Sequence, residues 1–264
     1  MICAIFAHAP ESPAMTSPYK TDLALVLAPG LVCDAYVWQQ QVDALGSYRA
    51  VPRVTLVVDH ALCDDLGAMA DNLLACAPPK FALAGHSMGG RVALEVYARA
   101  PERVTHLALL DTGYDSLPAG EAGEREKAGR MRLVEMARRE GMLATGRDWA
   151  RNMVHPRRLA DATFMDGIYR MIARASVAQF EAQVHALLRR PDRSPLLAQI
   201  VVPTLVLCGH DDRWSPPSQH VEMARCIKGC VYVEVPDCGH MCTLEQPAAI
   251  TRALSDWLGL ETKT

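Results

Sequence analysis

The feature that most constrains this chain is a glycine-bounded turn between an apolar run and a helical run. The turn spans residues 85–90, has the sequence GHSMGG, follows the apolar residues 81–84 and precedes a helical pattern over 91–99. A Gly-x-Ser-x-Gly turn between a strand and a helix forces its serine into a strained bend with the hydroxyl exposed above the sheet edge. Its glycines are required because a Cβ there would clash with the neighbouring strand or helix. The pattern predicts that Ser87 is a nucleophile.

Apolar runs that are typical of strands alternate with helical patterns along most of the chain. The predicted strands are residues 23–28, 54–58, 81–84, 104–110, 204–208 and 230–235, and the predicted helices include 67–76, 91–99, 219–227 and 246–258. Strands and helices that alternate at this spacing predict a mostly parallel sheet covered by helices on both faces. The predicted fold class is therefore α/β.

The alternation of strand and helix patterns stops between residues 113 and 199, where no convincing strand pattern occurs. Helical patterns there cover residues 124–140, 145–153, 160–176 and 177–190. We interpret residues 113–199 as a helical cap inserted into an α/β core of residues 21–112 and 200–264, with residues 1–20 as an N-terminal extension. A chain of 264 residues is long enough for one such domain and short for two.

The composition argues against several classes of function. A formal net charge of −3 gives no signature of nucleic-acid binding. No apolar stretch approaches the roughly 18 residues that cross a bilayer, and the apolar start lacks the basic residues of a signal peptide. We therefore expect a cytoplasmic protein that binds neither nucleic acid nor a membrane. The sequence leaves open the oligomeric state and the choice between Met1 and Met15 as the first translated residue.

The nine cysteines form an odd set without a Cys-x-x-Cys pair, which indicates reduced thiols rather than a disulfide framework. Four of them lie close together in sequence around His240: Cys226, Cys230, Cys238 and Cys242. Their i, i+4 spacing is less typical of structural zinc than i, i+3 spacing, and a strand pattern separates the two pairs. We therefore expect core and loop thiols and no metal.

Two further motifs supply the partners that a serine nucleophile needs. A serine hydroxyl becomes reactive when a base removes its proton and a third group orients that base. A strand pattern that ends in Gly209 is followed by Asp212, and the last strand pattern is followed by His240. In sheets of this kind the expected order along the chain is serine, acid, histidine, and Ser87, Asp212 and His240 occur in that order.

Together the three motifs resemble the α/β-hydrolase superfamily, and the resemblance covers nearly all of the chain outside the N-terminal extension. It implies Ser87 as the nucleophile, His240 as the base and Asp212 as the acid, since the superfamily's acid usually lies three residues after that glycine. Asp211 remains the alternative acid. Asp111, which follows the strand after the serine, is a second alternative, as in some relatives.

The resemblance also implies an oxyanion hole formed by two backbone N–H groups. Met88, directly after the serine, would supply one, and Leu31, in the loop after the first core strand, would supply the other. The superfamily usually has a histidine two residues before the second donor, where this chain has Pro29. A backbone donor does not depend on that side chain, so we expect activity, although the loop loses a residue that usually braces it.

The predicted substrate pocket lies between Ser87 and the helical cap. Its candidate lining residues are Trp214, Cys33, Trp149 and Tyr169. We expect a cofactor-free hydrolase that cleaves a small carboxylic ester or lactone through an acyl-enzyme. Hydrolysis of a carbon–carbon bond in a diketone-like acid is the enzymatic alternative, and a ligand-binding module on the same fold is the alternative of another class. The basic residues of the insertion would suit the binding of an anionic substrate. A solvent-exposed helix surface is the favoured interpretation of them.

Overall fold

The computed structural model describes residues 4–7, 23–46 and 54–260. The strands there are β1 (Ala4–Ala7), β2 (Ala24–Ala28), β3 (Val54–Val57), β4 (Phe81–His86), β5 (Val104–Leu110), β6 (Thr204–Gly209) and β7 (Val231–Val235). The helices are α1 (Gln39–Leu45), α2 (Leu66–Cys76), α3 (Met88–Arg99), α4 (Glu121–Glu140), α5 (Met142–Trp149), α6 (Ala162–Arg174), α7 (Val177–Leu188), α8 (Ser194–Leu197), α9 (Pro217–Cys226), α10 (Cys242–Glu245) and α11 (Pro247–Leu258).

All of these strands belong to one sheet with the order β1-β3-β2-β4-β5-β6-β7. β1 runs antiparallel to β3, and every other neighbouring pair is parallel. The order reverses between β2 and β4, both of which are buried along their whole length. In open α/β sheets ligands bind at the carboxyl ends of the strands beside such a reversal. The loops that leave β2 and β4 there carry Leu31 and Ser87.

The connections between parallel strands place helices on both faces of the sheet. Such crossovers are right-handed, so α1, which leads from β2 to β3, lies on the opposite face from α2 and α3, which lead back across the sheet. The contacts agree with this arrangement, because α1 packs against α11 and α2 packs against α3. The helix α9 contacts β6 and β7 near the other edge.

Residues 114–200, which we call the helical segment, connect β5 to β6. Within it α4 packs against α5 and α7, and α5 packs against α6. Asp161 and Ser176 cap the N-termini of α6 and α7 by accepting hydrogen bonds from backbone N–H groups. Buried side chains such as Val134 and Phe180 join these helices to the hydrophobic core of the sheet. No helix that the structure describes is both long enough and apolar enough to cross a bilayer.

The observed elements lie within a few residues of those that the sequence predicts, with four additions: β1, α1 and the short helices α8 and α10. The helix α1 has few apolar residues, and one of its buried positions is Gln41, whose Nε2 donates to the Thr243 carbonyl at 2.9 Å. Its periodicity is therefore weak. The strand β1 lies inside residues 1–20, the predicted N-terminal extension, and pairs with β3 at the sheet edge. Residues 8–22, including Met15, lie outside the described residues.

Candidate active site

Ser87 lies in the sharp turn between β4 and α3. Its φ of 55° and ψ of −120° are unusual for a residue with a side chain. Two contacts hold this bend: the Ser87 N–H donates to the Leu110 carbonyl at 2.9 Å, and the Ser87 carbonyl accepts from Thr112 Oγ1 at 2.7 Å. The neighbouring strand and its loop thus fix the backbone of Ser87, and the side chain reaches the cavity above the sheet.

The glycines on either side of Ser87 are explained by close backbone contacts. A Cβ on Gly85 would lie 2.3 Å from the Gly89 carbonyl oxygen, and a Cβ on Gly89 would lie 2.1 Å from the Ala28 carbonyl oxygen. Side chains cannot approach backbone atoms this closely. The two glycines therefore allow α3 to begin directly against β2 and β4, which is the clash that the sequence pattern predicts.

Ser87, His240 and Asp212 form a continuous row of hydrogen bonds. Ser87 Oγ donates to His240 Nε2 at 2.8 Å, and His240 Nδ1 donates to Asp212 Oδ2 at 2.8 Å. The other oxygen of Asp212 accepts from the N–H groups of Trp214 and Ser215, at 2.8 and 3.1 Å. Burial lowers the pKa of His240, but the charge and hydrogen bond of Asp212 outweigh it, so the pKa is raised above 6.5.

Asp211, the alternative acid, points away from His240. Its Oδ2 lies 3.6 Å from His155 Nε2 in the helical segment, and about one third of its side chain, 36%, is exposed. Asp212, in contrast, is only 3% exposed. The structure therefore brings Asp212, and not Asp211, against the imidazole.

The two predicted oxyanion donors border the same cavity as Ser87. Met88 begins α3, so its N–H has no acceptor within the helix. Leu31 lies in the turn after β2, which is closed by the Cys33 N–H donating to the Gly30 carbonyl at 3.1 Å. Among the described residues neither the Leu31 nor the Met88 N–H has a hydrogen-bond partner. Both are available to an oxygen that becomes negatively charged.

Two side chains that no local pattern identifies brace the loop around Pro29. His60 Nε2 donates to the Pro29 carbonyl at 3.1 Å, and burial lowers the pKa of His60 to about 4, so the ring is neutral. Gln183 on α7 accepts from the Val32 N–H at 2.8 Å and donates to the Ala61 carbonyl at 3.1 Å. Val32 has a φ of 48°, a rare value for a β-branched residue, so the bond from Gln183 stabilises a strained turn.

The cavity beside Ser87 has a volume of about 380 Å³. Three of the four predicted substrate-binding residues, Trp214, Cys33 and Trp149, line it. Tyr169 does not line it: this side chain is half-buried against the hydrophobic core beside the inward stripe of α6. The indole of Trp214 lies 5.2 Å from the His240 ring and 5.3 Å from the Trp149 ring, measured between centroids, so aromatic rings cover the histidine.

Comparison of the sequence with models of known protein families agrees with the geometry of the site. A family model described as the alpha/beta hydrolase family matches residues 25–253, which include every residue of the site described above. The chain belongs to the α/β-hydrolase family. The resemblance and fold class predicted from the sequence are thereby confirmed, and the protein is a hydrolase of this family.

Individual relatives are similar over most of their length. The putative carbamate hydrolase RutD of Variovorax paradoxus is 27% identical over 252 residues, which cover 89% of this chain and 91% of that protein. A thermophilic esterase from Thermogutta terrifontis, solved with malate bound, has a TM-score of 0.82 and 27% identity, covering 97% and 93% of the two chains. The enol-lactonase from Burkholderia xenovorans has a TM-score of 0.81, and its 21% identity over 97% and 95% shows the fold alone.

Asp111, the second alternative acid, organises the buried side of this α/β-hydrolase site. It is fully buried, and its carboxylate accepts from the N–H groups of Gly209 at 2.9 Å and Cys242 at 3.3 Å. His86 Nε2 lies 3.7 Å from Asp111 and donates to the His240 carbonyl at 2.7 Å. Asp111 therefore joins the loops behind the hydrogen-bonded row of Ser87, His240 and Asp212 instead of contacting the imidazole of His240.

The four cysteines near the C-terminus do not gather into one group. Cys226 is exposed, Cys230 is half-buried, and Cys238 and Cys242 are buried. Of these, Cys242 lies with His86 and Asp111, the three ligating atoms within 4.8 Å of one another; no other such group of metal-type side chains occurs among the described residues. Burial raises the pKa of the Cys242 thiol well above its ordinary value, and the Cys242 N–H donates to Asp111.

Glu245 is a buried carboxylate of the site that no sequence pattern singled out. Its Oε1 accepts from the N–H groups of Gly239 at 3.0 Å and Met241 at 3.2 Å, the residues on either side of His240. Its Oε2 accepts from the His155 N–H in the helical segment at 2.7 Å. Burial raises the pKa of Glu245 to about 7, although these N–H donors favour its ionised form. Glu245 thus joins the loop between β7 and α10, which carries His240, to the helical segment.

Proposed function

We propose that this α/β-hydrolase cleaves a small carboxylic ester or lactone, with Ser87 as nucleophile, His240 as general base and Asp212 as the group that orients the base. One observation carries the proposal: the unbroken row of two 2.8 Å hydrogen bonds from Ser87 Oγ through the imidazole to Asp212. The row ends at a cavity that Leu31 and Met88 also border.

In the first half of the reaction Ser87 is acylated. His240 Nε2 takes the proton from Ser87 Oγ as the Oγ–carbon bond forms, and the carbonyl oxygen becomes an oxyanion that accepts from the Leu31 and Met88 N–H groups. The negative charge of Asp212 stabilises the imidazolium, which is the same interaction that raises the pKa of His240. When the carbon–oxygen bond to the alcohol breaks, the imidazolium returns its proton to the leaving oxygen.

In the second half water releases the acyl group. His240 takes a proton from the water as the water oxygen attacks the acyl carbon, and the same two N–H groups hold the second oxyanion. Collapse of this intermediate breaks the bond to Ser87 Oγ, and His240 returns the proton to that oxygen. The net reaction is the addition of one water across the ester, and both the serine and the imidazole are regenerated.

The size of the cavity and the relatives support a small substrate with a carbonyl group. A volume of about 380 Å³ suits a compact molecule. The Thermogutta terrifontis protein with 27% identity is an esterase, and the Variovorax paradoxus relative is a putative carbamate hydrolase. Esters, lactones and carbamates all pass through a tetrahedral oxyanion, so one site geometry serves all three.

A substrate panel tests this proposal. We would measure hydrolysis of 4-nitrophenyl acetate and butyrate, δ-valerolactone and a 4-nitrophenyl carbamate by the wild type and by Ser87→Ala. Turnover of an ester or lactone that Ser87→Ala abolishes is the expected result. Turnover that survives in Ser87→Ala would contradict the role of Ser87. Preferred cleavage of the carbamate would replace the ester assignment. Absence of all turnover in folded protein would favour a ligand-binding module.

A further inference from the structure

The cavity beside Ser87 has a second, charged wall that the catalytic row does not use. It is formed by α3, the loop after β5, α4 and the loop after α7. We call it the polar wall, and its members are Arg91, Asp115, Glu126, Arg130 and Arg190. Three guanidinium groups face two carboxylates there, so the wall carries one positive charge in excess inside a partly enclosed cavity.

One arginine of the polar wall is fully engaged with its neighbours. Arg190 donates to both oxygens of Glu126, at 2.8 and 2.9 Å, and to the carbonyls of Leu187 at 2.9 Å and Asp115 at 3.3 Å. Its side chain is only 5% exposed. Arg190 and Glu126 therefore hold each other in place, and Arg190 has few donors left to bind a ligand.

The other two arginines retain donors without partners. Arg130 donates only through Nε, to Glu126 Oε1 at 2.8 Å, and its two terminal nitrogens have no hydrogen-bond partner among the described residues. Arg91 donates through both terminal nitrogens to Asp115, at 2.6 and 3.2 Å, while its Nε has none there. Burial and the charge of Arg190 lower the pKa of Arg91 to about 10, and the neighbouring Asp115 offsets only part of this effect.

These two side chains differ from the solvated basic surface that the sequence favours for the helical segment. Arg91 is 15% exposed and Arg130 is 26% exposed, whereas Arg170 on the outer side of α6 is 73% exposed and pairs with Asp166. A guanidinium that is largely removed from water gains more from a charged ligand than an exposed one, because the surrounding dielectric is lower.

An apolar groove opens from the same cavity. It has a volume of about 260 Å³ and shares Leu31, Trp149 and Trp214 with the cavity, together with Glu126 and Arg130 at the edge of the polar wall. Its remaining apolar lining comes from α4 and α7: Leu133, Phe180 and Val184. A substrate whose carbonyl group lies at Leu31 and Ser87 can therefore place one substituent against the polar wall and the other in the apolar groove.

We propose that Arg91 and Arg130 bind a carboxylate of the substrate, so that the bond cleaved at Ser87 belongs to an ester or lactone with an ionised carboxylate on one side and an apolar group on the other. This inference rests on the proposed function for the reaction itself. Arginine is suited to the role because its planar fork matches both oxygens of a carboxylate and remains charged at neutral pH.

Two matched pairs of esters test the inference. Mono(4-nitrophenyl) adipate is compared with 4-nitrophenyl hexanoate, and 4-carboxybenzyl hexanoate is compared with benzyl hexanoate, which places the carboxylate on the acyl side or on the alcohol side. For each pair the measured quantity is the ratio of kcat/KM for the carboxylated ester to that for the neutral ester. We expect the wild type to favour the carboxylated ester of at least one pair by roughly tenfold to a hundredfold, mainly through KM.

The variants Arg91→Met and Arg130→Met keep the apolar part of the side chain and remove the charge, and each should bring that ratio close to one. Arg170→Met removes an equal charge outside the cavity and should leave the ratio unchanged. Because each ratio uses the neutral ester as its own reference, partial loss of folded protein cancels. A preference that survives in both Arg91→Met and Arg130→Met, or that falls equally in Arg170→Met, would overturn the inference.

The outcome also separates this inference from the proposed function. If the wild type hydrolyses neutral esters and shows no preference for either carboxylated ester, the anion site is wrong and the role of Ser87 stands. If no ester is hydrolysed, binding of monoethyl adipate and of ethyl hexanoate to Ser87→Ala by calorimetry decides. Selective binding of the monoethyl adipate that Arg130→Met removes would support the polar wall alone, and equal or absent binding of both esters would overturn it.

Discussion

His240 is fixed at three atoms by three different parts of the chain. Its Nδ1 donates to Asp212 at 2.8 Å, its backbone N–H donates to the Met153 carbonyl at 2.6 Å, and its carbonyl accepts from His86 Nε2 at 2.7 Å. The imidazole therefore has little freedom to turn away from Ser87. Such preorganisation lowers the barrier for proton transfer, because no reorientation is required when the reaction begins.

Asp211 and Asp212 are adjacent in sequence, but only Asp212 contacts the imidazole of His240. Asp212→Asn keeps the shape of the side chain but removes the charge that stabilises the imidazolium, so we expect kcat to fall by on the order of 10³–10⁴. Asp211→Asn, whose carboxyl faces His155, should change kcat by less than about threefold. Steady-state hydrolysis of a 4-nitrophenyl ester measures both, and a larger loss in Asp211→Asn would reverse the assignment.

The second prediction concerns pH. In the proposed mechanism His240 begins as a neutral base, and the folded protein raises the pKa of this imidazole above 6.5. The rate constant kcat/KM should therefore rise with pH through a midpoint above 6.5 and reach a plateau on the alkaline side. In Asp212→Asn the stabilising charge is gone, so the midpoint of the residual activity should move to lower pH. A wild-type midpoint below 6.5 would contradict the stabilisation of the imidazolium by Asp212.

Among the elements, the loop between β7 and α10 and the segment before α6 depend on each other. Glu245 at the end of α10 accepts from N–H groups of both, and Arg158 donates to the Glu245 carbonyl. The loop that carries His240 is thus attached to the helices of the helical segment. Movement of those helices would be transmitted to His240, whose N–H also binds the Met153 carbonyl.

A prediction about stability follows from this attachment. Glu245→Ala leaves three backbone donors without their acceptor in a fully buried position, so we expect the free energy of unfolding to fall by roughly 3 kcal/mol or more. Glu245→Gln retains one acceptor oxygen and should lose clearly less. Urea denaturation followed by tryptophan fluorescence measures both variants. Glu121→Ala on the exposed side of α4, where the side chain is 94% exposed, serves as the control and should change stability little.

The elements also show which features a sequence can predict. The strands that precede Ser87, Asp212 and His240 are short apolar runs, so local composition predicts them, and parallel pairing brings their carboxyl ends to one edge. The contacts of Gln183 with Val32 and of Glu245 with His155 join residues 151 and 90 positions apart. No local periodicity records such a contact. Whether Tyr169 lines the cavity likewise depends on the rotation of α6 about its axis. A shift of one residue along the helix changes which side chains face the cavity.

At the scale of the whole molecule, one hydrophobic core is continuous from the sheet into the helical segment. It encloses Cys208, Cys238 and Cys242. Burial makes thiols less acidic: the pKa is raised to about 12 for Cys208 and for Cys33, which lines the cavity, and to about 11 for the half-buried Cys230. Cys76 and Cys226 are exposed. Because the thiolate is the reactive form, burial and raised pKa both protect the inner cysteines.

This distribution predicts a pattern of alkylation in the native protein. Under native conditions at pH 7.5, iodoacetamide should modify Cys76 and Cys226 at least tenfold faster than Cys208 or Cys242. Peptide mapping by mass spectrometry at several times gives the rate for each site, and protein unfolded in urea provides the reference in which all sites react. Rapid native modification of Cys208 or Cys242 would show that the core is less closed than described.

The most direct test of the account is the site and rate of labelling by a fluorophosphonate, which reacts with a serine only when a base and an oxyanion hole activate it. We predict one adduct per chain, mapped by mass spectrometry to Ser87, absent in Ser87→Ala and formed at least a hundredfold more slowly in His240→Ala. An adduct on another residue, or equal labelling rates in wild type and His240→Ala, would contradict the assignment of Ser87 and His240 as nucleophile and base.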